Sequence, residues 1–152
     1  MAVKKSNYSA VLKKTQRETG KRLDKALQAI AIEAISRMID RTPVDTGAAK
    51  YHWFIRRLPE ELFNKENVDP SGALPKARAK RDVKLFRIKD IVWLVNSAPY
   101  FKYLEDGSST QAPNGVVAIT RAGLEHRWNA ALRAAFSQDP RAAPSGGRYG
   151  QT

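Results

Sequence analysis

The chain has 152 residues and a formal net charge of +12, a length that fits one domain able to bury roughly 68–70% of its unfolded surface. There is no cysteine, and His52 and His126 are the only histidines, which excludes disulfide staples, thiolate zinc sites and cysteine nucleophiles and leaves no basis for a histidine-rich metal centre. No apolar run approaches the ~18 residues of a membrane-spanning helix, and no apolar stretch follows the charges of Met1–Lys5, so a secretory signal is not expected.

The first predicted element is a long amphipathic helix. Leu23, Leu27, Ile30, Ala34 and Met38 recur at helical spacing, with Ala26, Ile35 and Ile39 widening the stripe. Gly20 is placed to break it from a shorter helix around Tyr8–Arg17. Pro43 disfavours the α region at Thr42, so the helix should stop by Asp40 or Arg41. Thr42-Pro43-Val44-Asp45-Thr46-Gly47 then forms a tight corner, with Asp45 read as a brace for the turn and Gly47 as a source of positive φ. Beyond it the period becomes two: Tyr51, Trp53 and Ile55 face inward while Lys50, His52 and Arg56 face solvent, a half-buried strand over 48–58.

Residues 59–80 lack core-forming material and read as an extended arm. Alternation at Val83 and Leu85 suggests a second strand over 82–88. Ile91-Val92-Trp93-Leu94-Val95 reads as a third, 91–96, apolar enough to be covered on both faces, the second cover being a neighbouring subunit. Tyr100, Phe101, Tyr103 and Leu104 make a short aromatic turn or helix ended by Gly107 in the left-handed conformation. Val116–Ile119 reads as a short strand or the lead-in to a helix, and is counted in the architecture as the fourth strand. Thr120 opens a last helix that carries Leu124, Trp128, Leu132 and Phe136 on one face. Residues 137–152 are expected to be a flexible tail. The predicted architecture is α+β, one domain over 1–136: a mostly antiparallel sheet of about four strands, with the N-terminal and C-terminal helices on one face.

Eight basic residues fall between positions 4 and 25 against Glu18 and Asp24, and seven between 76 and 89 against Asp82 alone. Such fields attract phosphate polymers and acidic protein faces alike. Lys76, Arg78, Lys80 and Arg81 are therefore candidate contacts to DNA or to an acidic partner. The catalytic inventory is sparse: there is no glycine-rich phosphate loop, no metal-ligand spacing and no nucleophile elbow. A basic nuclease using Asp45, Glu105 or His52 would need residues that periodicity does not bring together.

Two stretches carry a resemblance when taken together. Arg41-Thr42-Pro43-Val44-Asp45-Thr46-Gly47 follows the amphipathic helix. Some fifty residues later comes Val95-Asn96-Ser97-Ala98-Pro99-Tyr100, continuing through Leu104-Glu105-Asp106-Gly107 to Gln111-Ala112-Pro113-Asn114-Gly115. In order and at this separation, over roughly residues 20–136, they resemble the tail-completion, or neck, proteins of long-tailed bacteriophages, the minor tail protein Z type. The match departs from the family pattern at Asp106 and at Ala48–Lys50. The resemblance implies a structural virion protein without catalysis or cofactor, located at the head–tail junction and in the host cytoplasm during assembly. Implied partners are other copies in a ring (a hexamer as first guess), a head-closure or connector protein, a tail-tube or tail-terminator protein and packaged DNA, with no membrane. Thr42, Pro43, Asp45, Gly47, Asn96, Pro99, Tyr100, Leu104, Glu105, Gly107, Gln111, Pro113 and Gly115 would be its structural and interface motif. The charge and the aromatic cluster Tyr100, Phe101 and Tyr103 keep a second expectation open, a basic nucleic-acid-binding module.

Overall fold

The structure, a computed structural model, describes residues 5–137. The expected tail lies outside the described residues from 138 onward. In chain order the elements are α1 (Lys5–Arg41), α2 (Ala48–Tyr51), β1 (Trp53–Arg56), α3 (Ala73–Asp82) continued by a 3-10 turn (Val83–Leu85), β2 (Trp93–Asn96), α4 (Phe101–Glu105) and α5 (Val117–Ser137).

α1 runs 37 residues without a break at Gly20. A single helical glycine costs only about 1 kcal/mol relative to alanine, less than the packing of a long amphipathic face supplies. Its end is where Pro43 requires it. The Thr42 N–H still reaches Met38 O at 3.0 Å, and the Thr42 hydroxyl donates to the same carbonyl at 2.6 Å. Ile35, Met38 and Ile39 of α1 form the centre of the core with Trp53, Ile55, Val83, Phe86 and Val116.

The sheet is a two-stranded antiparallel ribbon, with Trp53 opposite Asn96 and Arg56 opposite Trp93. The expectation of about four strands is overturned, and each discrepancy has a local cause. Ala48–Tyr51, expected to open the first strand, is one turn of helix, because Gly47 is left-handed and the Thr46 hydroxyl accepts the Ala48 N–H. Residues 82–88 are not a strand either. Pro75, Ala79, Val83 and Phe86 are the buried positions, at spacings of four, four and three, while Leu85 is 67% exposed. The segment therefore follows the helical period and packs on α1. Val117–Ile119 is the first turn of α5 and Val116 stands just before it, the helix lead-in and not the strand, with amides capped by a distant carboxylate described below. Of the two helices expected on the sheet, α1 packs on β1 while α5 packs along α1, and α3, which begins inside the expected arm, packs against both α1 and β1.

Coverage of the strands is also the reverse of the expectation. The segment 91–94, which leads into β2, alternates: Val92 and Leu94 pack on the core, whereas Ile91 is 73% and Trp93 43% exposed. β1 is the doubly covered strand. Trp53 and Ile55 face the core, and on the other side His52 and Phe54 are buried beneath Phe63 and Arg78.

Candidate functional site

The corner Thr42–Gly47 and the stretch Asn96–Gly115 meet in space, and most of their polar side chains are spent holding backbone. Thr42 is buried, and its hydroxyl, besides donating to Met38 O, accepts the indole N–H of Trp53 at 2.8 Å. Gln111 lies along Val44 as a strand would, its Oε1 accepting the Val44 N–H at 3.1 Å and its amide donating to Val44 O at 3.3 Å. Asn96 Nδ2 donates to Ala49 O at 2.8 Å while its Oδ1 accepts the Ala98 N–H at 3.0 Å, shaping the turn into Pro99. Gly47 has φ +90, and its carbonyl accepts N–H groups from both Tyr51 and Asp69. Asp45 does not brace the turn; that task falls to Thr46, and Asp45 stands exposed.

Glu105 supplies the long-range cap. Its carboxylate accepts the backbone N–H groups of Val116 and Val117, each at 2.8 Å, and of Ala118 at 2.9 Å, the otherwise unpaired donors at the start of α5. Gly115 permits this approach, since a Cβ there would stand 2.6 Å from Glu105 O. Gly107 ends α4 at φ +82, beneath Pro113. Partial burial by itself raises the Glu105 pKa, but the three amides prevail and hold it below the ordinary 4.5. A group lowered in this way contributes stability that is full above its unfolded value and is lost as pH falls through the folded one. Glu105→Gln should therefore cost about 1–2 kcal/mol at neutral pH. Denaturation at a series of pH values should show the gap to wild type closing below 4.5.

Asp69 does the same for α3. Burial pushes its carboxyl up, but hydrogen bonds from the Ser71 hydroxyl and from the N–H groups of Leu74, Gly72 and Ser71 bring it below its ordinary value.

Between the two motifs lies a cleft of about 240 Å3, bounded by Val44, Asp45, Thr46, Tyr100, Leu104 and Gln111. Tyr100 is raised above its ordinary pKa, first by burial and then by the nearby charge of Asp45, with a hydrogen bond from Ala49 opposing. The cleft wall thus offers one carboxylate, one phenol and small hydroxyls. Among the described residues no group of three His, Cys, Asp or Glu side chains is placed to hold a metal ion.

The basic candidates separate into two kinds. Arg78 is committed to the interior: it donates to Tyr51 O at 2.6 Å and Trp53 O at 2.9 Å, with its guanidinium 3.9 Å from the centre of the Phe54 ring. Burial lowers its pKa. Lys76 is ion-paired with Asp40, and Arg81 with Asp82. Lys80 is exposed. Two of the aromatics have partners as well, Phe101 edge-on to Trp53 at 5.0 Å and Tyr100 edge-on to Phe63 at 6.0 Å.

His52 has a structural part that its strand position hides. It is buried, with Nδ1 2.7 Å from Ala48 O and Nε2 accepting the Asn64 N–H at 3.2 Å. A carbonyl only accepts and an amide only donates, so these partners specify the neutral Nδ1–H tautomer. The ring ties the loop after β1 to the turn before it, and alternation alone holds no signal for that contact.

Compared with family models, curated proteins and solved structures, the chain matches none.

Proposed function

We propose that the chain is a structural virion protein of a tailed bacteriophage, a neck or tail-completion component that joins the head connector to the tail and acts by assembly. The observation that carries this reading is the bracing of the two motifs that gave the resemblance, to each other through Gln111 and Val44 and to the elements beside them through Asn96 and Glu105. Gln111 to Val44, Asn96 to Ala49 and Glu105 to the start of α5 spend polar side chains on backbone. This is the chemistry of a surface held in one shape for contact. Copies of the chain arranged as a ring, a connector protein and a tail-tube or terminator protein are its proposed partners, with the basic excess facing acidic rings or packaged DNA.

The test is electron microscopy of particles carrying a tagged chain. Label at the head–tail junction, and unjoined heads and tails when the protein is withheld, is the expected result. Absence of the protein from particles overturns the proposal. Sub-micromolar DNA affinity at physiological salt with a steep log–log salt slope, together with that absence, would replace it by the nucleic-acid-binding reading.

A further inference from the structure

Two surface features complement each other. The first is a groove of about 680 Å3 between α1 and the α3–3-10 segment. Ile32, Ala77 and Val83 line its apolar part, and Lys25, Lys80 and Lys84 stand around it. None of these three lysines has an ion pair among the described residues. The second is the loop after β1, Leu58–Glu66. In a chain of net charge +12, residues 59–72 hold four acids against the single base Lys65. At their tip Leu62 is 89% exposed, with Glu60 and Glu66 exposed nearby.

That exposed leucine does not sit on a slack loop. The Leu62 carbonyl accepts the Ser97 hydroxyl at 3.2 Å, and the Asn64 N–H is held by His52. Glu61 is ion-paired with Arg56. The backbone is pinned while the apolar side chain projects into solvent between carboxylates.

We infer that the Leu58–Glu66 tip of one copy docks in the α1/α3 groove of another, with Leu62 against Ile32 and Ala77 and the Glu60 and Glu66 carboxylates meeting Lys25, Lys80 and Lys84. A DNA backbone would satisfy the lysines but would leave the apolar part of the groove uncovered, whereas an acidic tip with a central leucine satisfies both. The two patches belong to different segments, so the contact is either reciprocal in a dimer or head to tail, and the latter closes a ring when the rotation permits. This deepens the assembly reading and rests on it for the identity of the neighbouring copy.

Charge reversal with a swap tests it. Association of the full chain is followed by light scattering across a concentration series. Wild type should self-associate, and Lys80→Glu with Lys84→Glu in one variant, or Glu60→Lys with Glu66→Lys in another, should each weaken association at least ~tenfold. Mixing the two reversed variants should restore it. Leu62→Asp should weaken association equally while leaving the melting temperature unchanged, because this side chain packs on nothing within its own chain.

A wild-type protein that stays monomeric throughout, or oligomers indifferent to all three variants, overturns the docking. In the second case the assembly reading survives. Label missing from particles while the swap behaves as expected overturns that reading and leaves the docking standing. DNA binding abolished by the lysine reversals in a protein that never self-associates assigns the groove to nucleic acid instead.

Discussion

Replacing Gly47 by alanine should destabilise the fold by about 3–4 kcal/mol, combining roughly 1–2 kcal/mol for a left-handed alanine with the cost of overpacking. Gly47 has φ +90, and an added Cβ would lie 2.7 Å from Pro70 Cδ and 2.8 Å from the Asp69 carbonyl carbon. Backbone and a proline ring cannot swing aside as the end of a long side chain would. Relief would require the 69–70 segment to retreat, breaking the hydrogen bond from Asp69 N–H to Gly47 O. Gly20→Ala is the matched control. Nothing lies within 4 Å of its added Cβ, so the same substitution should stabilise α1 by roughly 0.5–1 kcal/mol. Chemical denaturation of both variants checks the pair, and equal effects would mean that the corner is not packed as described.

Trp53→Ala should be the most damaging truncation, at about 3–5 kcal/mol from lost packing. Its side chain is 2% exposed. It meets Phe101 edge-on, and its indole N–H donates to the Thr42 hydroxyl. Truncation therefore also releases the turn at the end of α1, and Thr42→Val in the alanine background should cost less than it does in wild type. Trp93→Ala, in the other strand, should cost no more than about 1 kcal/mol, since that ring is 43% exposed. Thermal melts of the two variants distinguish this ribbon from a sheet with Trp93 in its core, which would make the two losses similar.

These contrasts indicate which parts of the molecule are legible in the sequence. The body and end of α1 follow from the spacing of Leu23 to Met38 and from Pro43, because both signals act within a turn or two of chain. The turn-forming behaviour of Gly47 and Gly107 is readable for the same reason, since a left-handed backbone favours glycine wherever the chain reverses. The segment 82–88 misleads because Val83, Leu85 and Phe86 support either period. Only α1, packed against it, selects the helical spacing that buries Val83 and Phe86 together.

The candidate site divides the same way. Its residues stand out as two motifs in the sequence, but their tasks do not. Gln111 reaches a backbone 67 positions away, and Glu105 caps a helix more than ten positions downstream. Arg78 reads as a surface cation and is an interior brace, because two carbonyls and two aromatic rings happen to surround it.

By itself, then, the amino-acid order determined where the body of the long helix lies, from about residue 21, and where it stops, and it marked the left-handed turns at Gly47 and Gly107 but not those at Gly72 and Gly115. Tertiary structure alone decided that the sheet has two strands, that β1 and not β2 is covered on both faces, and which polar groups are spent on the chain's own backbone. The reason is the range of the forces involved. Backbone sterics and helical periodicity act over a few residues, whereas burial and hydrogen-bond satisfaction depend on whatever the fold brings alongside.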